Sequence, residues 1–209
     1  MIWALPTAPA DAVTAINLLD IDLGVRVVDP YTENFLTPPN TGSHDIGDLT
    51  GEAWKKSSPG TPDVYTYIYT VLPGIKNFSE FNTGFAVSGF NGIAGYLFSD
   101  IPAGAANPDG SGAFLISHDP DGTLDWNVPS GVGVWRTTPL YSIQFFFQST
   151  DAPSQEGEGT FGVFAGIIGT STSIEPKPEA VPEPSSLLLL GSGLIGLGWS
   201  ARRRFKTTK

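Results

Sequence analysis

The chain has 209 residues, with 21 acidic against 11 basic side chains, a net charge of −10 and no cysteine. That excludes disulfides, thiolate nucleophiles and cysteine-based zinc sites, and a surface of this sign repels nucleic acid. Glycine (25) and proline (18) are frequent, yet 40% of the residues are hydrophobic, which is the composition of a folded chain.

At the start, Met1-Ile2-Trp3-Ala4-Leu5 lacks a basic region and a full apolar run, but Ala8-Pro9-Ala10-Asp11-Ala12 has the small residues of a cleavage region. Residues 1–12 therefore read as the remnant of a signal peptide that begins further upstream. The alternative is that they open the mature domain. Next, Ile21, Leu23, Val25 and Val27 alternate with Asp20, Asp22, Gly24 and Arg26, the period of a half-buried strand, and Asp29-Pro30 ends it. Residues 30–63 read mostly as loop, broken by Pro38-Pro39-Asn40-Thr41-Gly42 and by residues 57–63. Residues 64–72 are rich in β-branched and aromatic side chains and predict a strand, turned by Pro73-Gly74.

Residues 85–98 predict two short strands with a hairpin at Asn91-Gly92. Asn107-Pro108-Asp109-Gly110 is a turn, residues 113–117 a strand, Asp119-Pro120-Asp121-Gly122 a turn and residues 123–128 a strand. A further strand is expected at 131–137. Tyr141, Ile143, Phe145 and Phe147 alternate with Ser142, Gln144, Phe146 and Gln148, the clearest two-faced strand. Residues 160–168 predict the last strand, and residues 170–181, rich in Thr, Ser, Pro and Glu, an extended spacer. No helical periodicity precedes residue 185, and no repeat points to a solenoid or propeller. Roughly eight or nine short strands separated by turns predict a mainly β protein: a single antiparallel β-sandwich over residues 13–169, jelly-roll-like or immunoglobulin-like.

The chemistry available is limited. Asp119, Asp121 and Asp125 offer carboxylates at a spacing that suits Ca²⁺, although the EF-hand pattern is not met; a turn followed by a strand explains the same residues. No other cofactor is expected. His44-Asp45 and His118-Asp119 contain the only histidines, and no nucleophile elbow accompanies them. Tyr65, Tyr67 and Tyr69 share one face of their strand and, with Trp54, Trp126 and Trp135, offer flat rings for a carbohydrate; core packing is the alternative. The many acids also permit a carboxylate pair of the kind glycoside hydrolysis needs, but spacing in the sequence cannot bring two together.

The tail is the most specific segment. Pro182-Glu183-Pro184 precedes an uncharged run that contains Leu187, Leu188, Leu189, Leu190, Leu194, Ile195, Leu197 and Trp199 and ends at Ala201. Arg202, Arg203, Arg204 and Lys206 follow at once. The run gives roughly 22 Å of helix, short for a bilayer core of about 30 Å, with residues from Pro184 onward extending it. Trp199 stands where an interfacial aromatic belongs, and the cations fix the cytoplasmic end, so the preceding chain lies outside the membrane. We expect one C-terminal transmembrane helix over about 185–201.

These three ordered elements resemble the PEP-CTERM sorting signal of Gram-negative bacteria over residues 182–209. The same segment is also labelled an ice-binding-protein C-terminal domain, a label that describes the tail of some carriers and implies no ice binding. The resemblance implies that an exosortase, a membrane-embedded cysteine transpeptidase or protease, recognises Pro182, Glu183 and Pro184. It implies residence of the ectodomain in the periplasm while the tail is held in the inner membrane, then delivery to the cell surface or extracellular matrix, often alongside exopolysaccharide. The expected function is a non-enzymatic structural or interaction role. The alternatives are a carbohydrate-binding module for exopolysaccharide, with or without Ca²⁺, and a secreted hydrolase.

Overall fold

The computed structural model describes residues 13–39, 42, 44–74, 78–98, 114–128, 142–164 and 166–178. Their eleven strands are β1 (Thr14–Ile16), β2 (Val25–Leu36), β3 (Asp45–Lys56), β4 (Val64–Pro73), β5 (Glu80–Thr83), β6 (Phe90–Phe98), β7 (Leu115–His118), β8 (Leu124–Asn127), β9 (Ile143–Ser149), β10 (Gly159–Phe164) and β11 (Ile168–Ser173). The mainly β class is as expected. The strands form one sheet in the order β1-β6-β9-β4-β3-β2-β11-β10-β5-β8-β7, nearly closed like a barrel, in place of a sandwich of two separate sheets. All pairs are antiparallel except β1 with β6. The two halves join through a single register pair, Leu36 on β2 with Thr170 on β11.

The roll follows from where the aromatic residues sit. Phe145 on β9 and Phe81 on β5 are far apart in sheet order, yet their rings stack at 4.5 Å. Tyr69 on β4 lies 4.4 Å from Phe161 on β10, and Trp126 on β8 lies 5.6 Å from Phe145. Burying rings of this size contributes roughly 2–3 kcal/mol each, which favours the curved sheet over a flat one. Near the open edges, Trp126 Nε1 donates to the Gly95 carbonyl at 3.0 Å and the Phe114 amide to the Tyr96 hydroxyl at 3.1 Å. The His118 ring rests 4.9 Å from that of Phe90.

Strands β4 and β9 lie where the sequence placed them, and β7 and β8 come within a residue or two. Other expectations need correction. Residues 30–63 hold most of β2 and all of β3, the longest pair in the sheet. The inner face of β3 is Gly47, Leu49, Gly51 and Ala53, so small residues hide the alternation. Gly51 is required there, because a Cβ would overlap the Ser173 hydroxyl of β11. Pro30 lies inside β2, within a register shift between Val28 and Tyr31 where no ladder donor is needed.

Residues 21–24 are not a strand. Gly24 turns the chain at φ 74°, leaving Val25 and Val27 exposed. Before it, β1 pairs with β6 at the edge of the sheet, and residues 17–24 form a strap over its outside, with a single 3₁₀ turn at Leu18–Asp20 capped by Asn17, whose Oδ1 accepts from the Leu19 amide. Leu18 is buried against Ile68 of β4 and Phe146 of β9, with Ile16, Ile21, Leu23, Trp54 and Leu97 around them.

Asn91-Gly92 makes no hairpin; it is a register shift within β6, between Phe90 and Ala94. The stretch 160–168 is also not one strand but β10 and the start of β11, which form an antiparallel hairpin. Strand β11 runs into the segment read as spacer, and the chain stays tied down to Lys177, whose amide donates to the Ala152 carbonyl at 2.9 Å. The compact unit ends at Pro178. Among the described residues there is no α-helix, and no helix is long and apolar enough to cross a membrane. The strand expected at 131–137, the remnant at 1–12 and the tail from 182 onward, with its transmembrane helix, lie outside the described residues.

Candidate functional site

The tyrosine stripe is not a platform. Tyr67 and Tyr69 are fully buried, because their face of β4 pairs with Phe147 and Phe145 of β9 and points inward. Their hydroxyls donate to the Asp151 and Ile174 carbonyls at 2.8 and 2.9 Å. Burial pushes both phenols well above their ordinary range. Tyr65 is half-buried, with the Lys55 ammonium 5.8 Å from its ring. Trp126 is in the core, Trp54 is half-buried beneath the Arg26 guanidinium at 5.5 Å, and Trp135 lies outside the described residues. The signal that could have revealed this was in the sequence: Phe145 and Phe147 predict an inward face on a strand that must pair with another aromatic one.

On the β7–β8 hairpin Asp121 serves the turn, while the Asp119 and Asp125 side chains interact with each other. The turn closes through the Gly122 amide donating to the Asp119 carbonyl at 2.8 Å. Asp121 Oδ1 accepts from the Thr123 amide at 3.0 Å and its hydroxyl at 2.7 Å, bonds that hold its carboxyl below the usual range. Asp125 points outward from β8 and is half-buried. Burial, then the neighbouring charges of Asp119 and Glu80, push its pKa up to about 6. Among the described residues no group of three or more His, Cys, Asp or Glu side chains is placed to hold a metal ion.

No nucleophile–histidine arrangement forms around His118, whose ring nitrogens have no hydrogen-bond partner among the described residues. Ser88 donates directly to Asp151 Oδ2, and Ser57 to Asp63 Oδ1 at 2.6 Å, with no imidazole between them.

The feature that sequence reasoning missed is on the outer face of β11, β10 and β5. These strands send Ile168, Thr170 and Thr172, then Thr160, Gly162 and Phe164, then Glu80 and Asn82 outward, in paired rows. Gly162 stands between Thr170 and Asn82 and leaves a groove of about 330 Å³. A Cβ at Gly162 would come within 2.5 Å of Asn82 Oδ1, so the amide leans across the glycine. Asn82 Nδ2 donates to Glu80 Oε1 at 2.7 Å. Phe164 and Ile168, 43% and 57% exposed, form an apolar wall at one end. A second depression of about 180 Å³ continues towards β2, lined by Glu33, Asn34 and Leu36 and sharing Thr160 and Thr170 with the first. The local hint in the sequence is Gly162 itself, a glycine inside a strand, which marks a bulge or a close approach.

Residues 180–204 match the family model of the PEP-CTERM protein-sorting motif. The match bears out the resemblance read from the tail and makes an exosortase the implied processing partner of an exported protein. No curated protein and no solved structure matches the chain. The sorting residues Pro182, Glu183 and Pro184 fall inside the matched segment and outside the described structure.

Proposed function

We propose that this chain is an exported protein whose tail is cut by an exosortase, and whose β domain then serves a non-enzymatic structural or interaction role at the cell surface or in the extracellular matrix. The observation that carries the reading is the sorting motif at residues 180–204. In this reading the segment from Leu187 to Trp199 holds the precursor in the inner membrane. Arg202, Arg203, Arg204 and Lys206 stop its transfer on the cytoplasmic side. The domain meanwhile lies in the periplasm. Three residues, 179–181, separate the last described residue, Pro178, from Pro182 in the sequence.

Two structural features support a binding or scaffolding role over catalysis. The large aromatic side chains fill the interior, and Asp121 of the β7–β8 hairpin serves its turn. A retaining or inverting hydrolase needs two carboxyls across one cleft. Among the described residues, Glu80 is the one carboxylate lining the larger groove. A carbohydrate-binding role, with exopolysaccharide as partner, is favoured by that groove and not by the tyrosine stripe.

Replacing Glu183 with Ala, or deleting residues 202–204, is expected to leave an unprocessed precursor in cells that contain an exosortase. Mass determination of the membrane and secreted fractions reads the result. Mature-sized protein at normal yield from both variants would overturn the proposed role of the tail.

A further inference from the structure

We infer that the outer face of β11, β10 and β5 is a binding track for a neutral, hydroxylated polymer, a polysaccharide strand without acidic groups. Three properties of the track lead there. First, its chemistry is rich in acceptors. Glu80 has a carboxylate oxygen beyond the one bonded by Asn82, Asn82 presents Oδ1 over the floor, and Thr160 and Thr170 add hydroxyls. No Lys or Arg lines either depression. A ligand must therefore donate hydrogen bonds without carrying negative charge, and the chain's net charge of −10 repels an anionic strand further. Sugar hydroxyls both donate and accept, so they satisfy such a wall without stranding acceptors of their own. A peptide would bring carbonyls that find few donors here.

Second, the apolar wall formed by Phe164 and Ile168 borders the polar floor. A pyranose ring has the same division, with C–H groups on its faces and hydroxyls on its rim. One face against the Phe164 ring would bring the rim over Gly162 and Asn82. Third, the two depressions share Thr160 and Thr170, and the register pairs Thr170 with both Gly162 and Leu36. They lie in line across the strands, which suits a chain of linked rings better than a single small molecule. At about 330 Å³ the first depression is at the lower limit of ordinary ligand sites, the size of one or two rings.

The proposal deepens the binding role proposed above and does not depend on the sorting tail, so the two fail separately: one reads processing in cells, the other affinity in solution. The experiment uses the full chain in a polyoxyethylene detergent, which carries no sugar head group. Calorimetry measures its affinity for cellohexaose, maltohexaose and mannohexaose, for the corresponding monosaccharides, and for polygalacturonate. The expected result is binding of at least one neutral hexasaccharide, weaker binding of its monomer, and none of polygalacturonate. Gly162→Val, whose side chain occupies the floor of the groove and displaces only the flexible end of Asn82, is expected to weaken binding roughly tenfold or more. Phe164→Ala and Glu80→Gln change no core side chain and test the same track if Gly162→Val fails to fold. Binding of polygalacturonate as tight as that of the neutral strands, affinity unchanged in all three folded variants, or no binding of any neutral hexasaccharide would each overturn the inference.

Discussion

Strands β4 and β9 turn Ile68 and Phe146 outward, whereas β10, β11 and β5 turn Thr160, Gly162, Thr170 and Asn82 outward. Both walls of the roll contribute the same kind of inner face: Tyr69, Phe145 and Phe147 on one side, Phe81, Phe161 and Trp126 on the other. They part company outside. The first wall carries apolar residues on both faces, as in Phe145-Phe146-Phe147, and needs a cover; residues 16–23 supply it. The second carries mainly polar residues outside, Phe164 and Ile168 apart, and has no such cover among the described residues. An outer wall that water can wet is free to present a groove, and a wall that water would destabilise is closed by the chain's own strap.

The largest effect is expected at the inner face that both walls share. Phe81 touches rings from both walls, with Phe145 at 4.5 Å, Trp126 at 5.5 Å and Phe161 at 5.8 Å. Phe81→Ala is expected to destabilise the domain by about 3–5 kcal/mol in urea unfolding, the range for losing a large core ring. Leu18→Ala acts only on the covered wall. Leu18 is buried but sits beneath a strap, which can settle onto the space left behind, so a loss of about 2–3 kcal/mol is expected. The same variant is expected to leave the amide resonances of Thr160, Gly162 and Thr170 in place. Equal shifts on both walls would show that the strap and the groove are one coupled unit.

A smaller effect comes from Asp125, beside the open wall. Its pKa of about 6 lies above that of an unfolded aspartate, so the native state holds the proton over a pH range where the unfolded chain has released it. Its contribution is most favourable at and below the ordinary carboxylate range, falls as pH rises towards 6, and is constant above that. Asp125→Asn is therefore expected to stabilise the domain at pH 7 by on the order of 1 kcal/mol, the full shift being discounted because solvent screens a half-buried carboxyl. At pH 3.5 the gain is expected to vanish. A gain independent of pH would rule out this linkage. The smallest effect is expected at Phe164, on the open wall: Phe164→Ala should move stability by no more than about 0.5 kcal/mol. A loss comparable with that of Leu18→Ala would mean that the exposed wall is packed rather than open.

Strands β4 and β9 were legible because their aromatic and β-branched residues run uninterrupted, and the β7–β8 turn because Pro-Asp-Gly suits few other conformations. Strand β3 was not, since Gly47, Gly51 and Ala53 occupy inner positions where hydrophobicity is what pattern reading looks for. Strand β11 failed for a related reason: Ser171 and Ser173 are its inward residues, and serine next to threonine reads as linker. The groove has no local signature. It needs Thr170, Gly162, Asn82 and Glu80, which come from three strands and meet only through register.

Residues adjacent along the chain set the β class, the Pro-Asp-Gly turn between β7 and β8 and the sorting tail, through backbone preference, turn chemistry, and an ordered motif with its apolar run and cations. Only the tertiary structure decided that the strands make one rolled sheet, that Tyr67 and Tyr69 point inward, and that one outer wall is covered while the other holds a groove. Those outcomes depend on which strand lies beside which, and on what packs across the interior, over distances that no local pattern of residues encodes.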